Sequence, residues 1–383
     1  MHRIGAEGRF DLAVVGAGIV GLATALAAAR RGLRVIVIDR DAQANGASVQ
    51  NFGFITVTGQ ERQQMWPRAR RSCEVWHEVV AAAGIAVVQR SAWFIARRAE
   101  SAALLEAFMA TDMAAGCRLL SAADARRRCP QIPAPGMRAV LESTVELRVE
   151  SRSAVPRLAA WLESEYRVTF ARDTTVTAVA PPTVHTSRGQ IAAERVVVCP
   201  GDDFSSLYPQ RLQAYRLTRC QLQMLRLASP GFQLPATLLS DLSLARYGGF
   251  ADLDAAATLK ARLEREQPAH LTHGVHLIVA QSADGSLTVG DSHHYAATPD
   301  GILRGDVEAL VLAEFRAALG FDPPPVVERW LGTYASASDR PLLIDAPDPA
   351  VRIAIVTCGS GASTCFAIGE ELVTSLIDSA ASV

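Results

Sequence analysis

An excess of charge of one sign is missing from this chain. Its 38 Lys and Arg residues stand against 39 Asp and Glu, so nothing general draws it to nucleic acid or to an acidic membrane surface, and a small molecule is the expected partner. A disulfide framework is missing too. The seven cysteines (Cys73, Cys117, Cys129, Cys199, Cys220, Cys358, Cys365) are odd in number, contain no CxxC pair and are too dilute for a stapled secreted fold; they read as reduced thiols. The N-terminal segment has only a short apolar run that breaks at glycine, without the longer apolar region or small-residue cleavage site of a signal peptide. No apolar stretch reaches the roughly 18 uninterrupted residues of a spanning helix, and there is no internal repeat or low-complexity tract. A cytoplasmic location is the expectation, with peripheral membrane contact and oligomerisation left open. What the chain does have is length. Its 383 residues, 49% of them hydrophobic, can bury a large core and suit two domains better than one.

The first forty residues carry the strongest signal. Phe10 to Val15 (FDLAVV) is an apolar run suited to a buried parallel strand, and it leads directly into Gly16-Ala17-Gly18-Ile19-Val20-Gly21, the spacing GxGxxG. Residues 19–31 are rich in Ala and Leu and are followed by Gly32, which reads as a helix with a C-terminal stop. Residues 34–39 (RVIVID) read as a second buried strand ending in an acid. The three glycines serve different purposes. Gly16 permits the tight turn, Gly18 lets the backbone approach a pyrophosphate, and Gly21 lets helix and strand pack closely. Unpaired amides and the positive end of the helix dipole favour the phosphates, and Asp39 can accept both hydrogen bonds of a ribose diol while repelling a 2′-phosphate. Arg40 follows in the same nucleotide site. A lone GxGxxG is weak; strand, glycines, helix, strand and acid in register are much stronger. The unit alone does not separate NAD from FAD.

After the second strand the chain continues DAQANGASVQNFGFI, where an NAD domain would normally begin another crossover helix. This stretch, with Gly46-Ala47-Ser48 and Asn51-Phe52-Gly53, resembles the D-amino-acid oxidase and glycine oxidase family, in which such a loop follows the pyrophosphate and flavin. The segments TTVTAV (174–179), VVVCPGDDF (196–204), WLGTY (330–334) and TCGSGASTCFAIGEEL (357–372) are similar to that family in the same order, so the resemblance covers nearly the whole chain. It implies FAD. It further implies that Val176 pairs its backbone with the adenine, that Gly201 ends a strand beneath the dinucleotide, and that Gly332, Gly359, Gly361, Ser363 and Thr364 border the flavin ring. Independently of the resemblance, VRIAIVTC is strand-like, GSGAST is a tight turn and CFAIGEELVTSLI is a helix with an apolar stripe, a second strand-to-helix junction whose positive end suits a developing anion.

With flavin segments at the start, middle and end, the cofactor domain is expected to be discontinuous. The expected fold is α/β, a Rossmann-like, glutathione-reductase-like FAD-binding domain (1–85, 147–214 and 325–383) with an α+β substrate domain (86–146 and 215–324) on a mixed, mainly antiparallel sheet. Strand-like runs at VVQRSAWFIARR, RCQLQMLRL, VHLIVAQ and SLTVGDS, a hairpin signal at Asp284-Gly285 and a charged helix over 254–267 populate the second domain.

The resemblance implies removal of hydride from the carbon next to an amine, giving an imine that hydrolyses to an aldehyde or oxo acid, with oxygen or another acceptor taking the electrons. The cofactor does the hard chemistry, and no catalytic acid or base is assigned. In glycine oxidase and its relatives an arginine usually stands two residues after the glycine of WLGTY and clamps the substrate carboxylate. This chain has Tyr334 there, which puts a plain α-amino acid in doubt, because tyrosine offers no cationic fork. Compensating donors are sought among Arg340, Arg246 with Tyr247, His276 and the His293-His294 pair, with Asn51 counted for both cofactor and substrate. Each has an ordinary alternative: a satisfied core histidine, surface ion pairs, or packing. The segments LARYGGF, GVHLIVAQSADGSLTVGDSHHY and WLGTYASAS are similar to a branch of the family linked with breakdown of aminophosphonates such as 2-aminoethylphosphonate. No metal is expected, since His270, His273, His293 and His294 lack a ligand spacing. Cys365 does not match the position of a covalent flavin tether. Three alternatives stay open: a glycine, sarcosine or D-amino-acid oxidase or dehydrogenase; an NAD-linked dehydrogenase; and a flavin-binding subunit without turnover.

Overall fold

The chain was analysed as a computed structural model in which residues 8–381 are described; 1–7 and 382–383, the outer ends of the expected cofactor domain, lie outside them. Two sheets organise the molecule. The first has eight strands, with the path Leu342–Asp348, Val351–Val356, Gly189–Val198, Phe10–Val15, Val35–Ile38, Thr169–Ala171. All neighbours on this path are parallel except the first pair. Phe10–Val15 sits inside the sheet because it is apolar on both faces: Leu12 and Val14 pack under the helices, Ala13 on the other side with Ile36, Ile38 and Val196. The helical face is covered by Ile19–Ala29, Met65–Ala82 and Gly361–Ala381, with Trp76 and Phe366 edge to face at 5.1 Å. The opposite face is covered by the antiparallel hairpin of Val176–Ala180 and Thr183–Thr186.

The second sheet has ten strands. It is mainly antiparallel, and Thr237–Leu239 with Val87–Ala96 is its parallel pair, so it is mixed as expected. Ile278–Gln281 and Leu287–Gly290 form the hairpin announced by Asp284-Gly285, with Gly285 in the left-handed region at φ +83°. Phe54–Ile55 pairs with Ala139–Val149, and Val326–Ser336 pairs along Thr218–Leu227, so chain from both ends of the sequence joins this sheet. One element differs from the expectation. The terminal helix begins at Gly361, so Ala362-Ser363-Thr364 form its first turn instead of the loop before it.

Candidate active site

The glycine turn is built by collision. At Gly16, with φ +105°, an added Cβ would lie 2.4 Å from the Cys199 carbonyl oxygen, and at Gly21 it would lie 1.9 Å from the Gly16 carbonyl oxygen. Neither space admits a side chain, and strand, turn and helix close on one another as a result. Asp39 accepts hydrogen bonds from the Ala17 N–H at 2.5 Å and the Asp41 N–H at 2.8 Å, tying the end of the second strand to the turn. Ser48 accepts from the Ile19 N–H at 2.9 Å, which brings the 46–53 loop against the helix N-terminus. That loop is held by Asn51, whose amide donates to the Ala47 carbonyl (2.7 Å) and whose Oδ1 accepts from the Gly53 N–H (2.7 Å) and the Ser151 hydroxyl (2.8 Å). Arg40 donates to Asp203 at 2.8 Å.

These parts wall one cavity of about 730 Å³ that continues from the glycine turn into the second sheet. Of the residues expected to hold the cofactor, Gly16, Gly18, Ile19, Val20, Gly21, Asp39, Arg40, Gly46, Ala47, Ser48, Asn51, Phe52, Val176, Gly201, Gly332, Gly359, Gly361 and Ser363 line it. Ala17, Gly53 and Thr364 do not: the first two give their N–H groups to Asp39 and Asn51, and Thr364 is buried with its hydroxyl on the Ser360 carbonyl. Ser363 accepts from the Thr56 N–H at 3.0 Å, and a Cβ at Gly332 would come 2.9 Å from the Gln50 carbonyl oxygen, so the far wall is drawn against the same loop. Cys365 is buried outside the lining. A backbone cradle, an acid at the end of the second strand and a long polar loop suit an extended dinucleotide, and the volume lies within the roughly 300–1,000 Å³ usual for small-molecule sites.

In the half of the cavity under the second sheet, Arg246, Tyr247, His276 and Tyr334 all line the wall. Arg340 and His294 do not. Arg340 is paired with its neighbour Asp339 and lies over the Tyr215 ring. His294, the first residue of the strand His294–Ala296, lies against His273, its Nε2 3.0 Å from Nδ1 of that ring, whereas His293 just before the strand is on the cavity wall. Tyr334 and Tyr295 flank Cys220 from the two neighbouring strands and so stand in one cross-strand row. The Tyr295 hydroxyl accepts from Arg246 Nη2 at 2.7 Å, and among the described residues no carboxylate forms an ion pair with Arg246. Burial opposes its charge, but Tyr295, Tyr334 and Asp291 outweigh that cost and raise its pKa. Burial likewise pushes the Tyr334 hydroxyl well above its ordinary value, so it is a neutral donor. It stands close to the terminal glycine turn: a Cβ at Gly359 would meet Tyr334 Oη at 3.3 Å.

Residues that the sequence did not single out also line this half, chiefly Asp291 and Tyr295, while His293 stood out only as part of a pair. Asp291 does carry a signal, being an acid at the end of an apolar strand and next to two histidines. The side chains of His276, Asp291 and His293 are almost fully buried. His276 Nε2 lies 3.0 Å from Asp291 Oδ1, and His293 Nε2 lies 3.8 Å from Oδ2.

A parallel dinucleotide sheet, opened toward a second sheet that roofs one continuous cavity, defines a nucleotide-dependent oxidoreductase with its own substrate chamber. Residues 11–375 match the family of FAD dependent oxidoreductases, and the chain belongs to it. FAD is therefore its cofactor, and the NAD-linked alternative falls. No curated protein matches the sequence. Among solved structures, the chain is similar to glycine oxidase from Bacillus cereus ATCC 14579 (TM-score 0.76, 14% identity, 97% of this chain and 95% of that one). It is also similar to L-proline dehydrogenase from P. horikoshii (0.75, 17%, 96% and 93%) and to FAD-bound L-alpha-glycerophosphate oxidase from Mycoplasma pneumoniae (0.75, 16%, 97% and 95%). Among the described residues no helix is long and apolar enough to cross a membrane.

Proposed function

We propose that this FAD-dependent enzyme oxidises the C–N bond of a small amine that also carries an anionic group, with an aminophosphonate such as 2-aminoethylphosphonate or an N-alkyl derivative as the substrate class. When bound, FAD supplies the acceptor for the hydride that leaves the carbon beside the amine. In this reading the eight-stranded sheet and the segments 1–85, 147–214 and 325–383 serve the cofactor, and 86–146 with 215–324 serve the substrate. The product imine hydrolyses in water to an aldehyde or oxo acid.

The observation that carries the reading is Arg246: a guanidinium on the cavity wall that forms no ion pair with a carboxylate among the described residues, beside the hydroxyls of Tyr295 and Tyr334. A tetrahedral, doubly charged phosphonate is met well by several donors on different elements, whereas a planar carboxylate is met best by one bidentate fork. Tyr334 occupies the place where the resemblance leads one to expect that fork. The chain's own work is then to hold the anion at Arg246, to orient the amine end toward the flavin-side wall at Gly359, and to keep water out beneath the second sheet.

The test is anaerobic reduction of the purified yellow protein with glycine, sarcosine, D-alanine, 2-aminoethylphosphonate and its N-methyl derivative. Bleaching of the flavin band is expected to be fastest with the aminophosphonates, and Arg246→Met is expected to weaken them roughly 10- to 100-fold, the usual effect of losing one charge-assisted contact. Equal rates with glycine or D-alanine would refute the proposal.

A further inference from the structure

Arg246 is followed directly by Tyr247-Gly248-Gly249-Phe250, and these residues carry the chain from the anion site into a joint between two backbones. The helix Asp241–Arg246 ends at the arginine, and the short helix Gly248–Ala251 begins two residues later. Against that turn lies the buried segment 56–60, which leaves the second sheet after Phe54–Ile55. The Gly249 N–H donates to the Gly59 carbonyl at 2.9 Å. A Cβ on Gly249 would lie 2.6 Å from the Gln60 carbonyl oxygen and 2.9 Å from Gly59 Cα, and one on Gly59, where φ is +84°, would lie 2.6 Å from the Phe250 ring. The two segments therefore touch with no side chain between them, an approach that only glycine permits.

Both partners are fixed on their far sides. The Thr56 N–H donates to the Ser363 hydroxyl at 3.0 Å, in the first turn of the terminal helix on the cofactor wall. The Thr58 N–H donates to the Glu146 carboxylate and its hydroxyl to Ser143, each at 2.9 Å, which ties the segment to the strand Ala139–Val149. Across the joint, Phe250 is fully buried against Phe94 and Phe108, with ring centroids 5.1 and 4.4 Å away. A continuous series of contacts thus runs from the cofactor wall at Ser363, through residues 56–60 and the glycine joint, to Arg246. Thr56, Gly59, Gln60 and Arg246 line the cavity along this path, while Gly249 stands behind its wall. Interiors packed this closely deform little, so the joint sets the separation between the guanidinium and the cofactor wall, and the ligand does not adjust it. A substrate anchored by its anion presents to the flavin whichever carbon lies at that separation, and a misplacement of about 1 Å costs on the order of 100-fold in rate.

We propose that the Gly59–Gly249 joint is a specificity-determining element that fixes the distance from the anion site to the flavin-side wall, so that the enzyme selects amines by the number of carbons between the anionic group and the nitrogen. The selection rests on the role given to Arg246 above and deepens it: two carbons, as in 2-aminoethylphosphonate, are accepted, and one or three are rejected. Gly249 is a positioning residue that acts through Arg246.

Anaerobic flavin reduction by aminomethyl-, 2-aminoethyl- and 3-aminopropylphosphonate, run beside glycine, β-alanine and 4-aminobutyrate, tests the spacing. The wild type is expected to be reduced by the two-carbon phosphonate at least about tenfold faster than by either homologue. Gly249→Ala parts the joint and moves Arg246 away from the cofactor wall, because each side is held from behind. The ratio of the three-carbon to the two-carbon rate is then expected to rise at least about fivefold. Gly248→Ala, whose Cβ would lie 3.1 Å from Glu61 Cβ, is the gentler wedge in the same joint; it is expected to shift the ratio less and in the same direction, and it decides the matter should Gly249→Ala fail to retain FAD. Methylphosphonate, which carries only the anion, is expected to bind Gly249→Ala within about threefold of the wild type by calorimetry, since the guanidinium is intact. A wild-type profile that varies by less than about threefold across the lengths, an equal loss for every homologue in both variants, or loss of methylphosphonate binding in Gly249→Ala overturns the proposal. If the carboxylates alone bleach the flavin, and Gly249→Ala shifts their profile toward the longer homologue, the spacing role stands and the phosphonate part of the proposed function falls. If the phosphonates bleach it whatever their length, the proposed function stands and the spacing role falls.

Discussion

Gly16 and His293 illustrate two kinds of residue in this site, one fixed by space and one by charge. A methyl group at position 16 would be forced to 2.4 Å from a backbone oxygen that has nowhere to go. Gly16→Ala is therefore expected to cost about 1–3 kcal/mol, typical of overpacking, and to yield protein with little FAD, read from the ratio of visible to ultraviolet absorbance. His293 binds no proton in the folded state until pH about 3, whereas an unfolded histidine binds one below about 6.5. The unfolded state thus gains protons first as pH falls. Stability from this group is fully present above pH 6.5 and is lost progressively toward pH 3. Thermal melts from pH 7 to pH 4 are expected to fall less steeply for His293→Gln than for the wild type; parallel curves would contradict the assignment. The glycines are legible in the sequence because their constraint is local. The cluster of His276, Asp291 and His293 is not, because it exists only once the register of the hairpin brings His276 beside Asp291.

Among the elements, the helices Ile19–Ala29 and Gly361–Ala381 depend most on each other. They start at the two glycine turns of the cofactor wall and cross where Gly369 meets the backbone of Ala23; a Cβ there would lie 2.7 Å from Ala23 C. Met65–Ala82 locks the pair from outside, with the Ser72 hydroxyl accepting from the Ala367 N–H (3.0 Å) and Trp76 Nε1 donating to the Ala362 carbonyl (2.8 Å). Gly369→Leu is expected to part the helices, lowering the urea midpoint by the equivalent of about 1–3 kcal/mol and loosening FAD, although residue 369 is not on the cavity wall. The sequence of this region predicts the right elements with one boundary displaced. Glycine-rich sequence reads as turn through Thr364, but a helix N-terminus tolerates Gly and Ser because its first amides have no helical partner to lose. The strands are legible for the opposite reason, since runs such as FDLAVV are apolar on both faces and suit only the interior of a parallel sheet.

For the whole molecule, the joint between the two sheets is the decisive feature, and Arg148 holds it. Only 2% exposed, it donates to the Phe52 carbonyl (3.0 Å) on the cofactor loop, to the Gln281 carbonyl (3.0 Å) and Ser282 hydroxyl (3.1 Å) at the hairpin, and to Glu150 (2.7 Å). Arg148→Met strips these partners at once and is expected to destabilise by about 3–5 kcal/mol, the range for breaking a buried charged network, with FAD retention falling alongside. Equal FAD content and an unchanged urea midpoint would refute that role. Nothing in the sequence marks Arg148, since a lone arginine in a strand reads as solvent-facing until its partners from distant segments are known.

The two glycine turns that line the cavity, at Gly16 and Gly359, are contributed by segments far apart along the polypeptide. During synthesis the first is made early and waits for its counterpart. Flavin loading must then follow synthesis of the second turn, and any product that stops before Gly359 should be colourless however well its first sheet has formed.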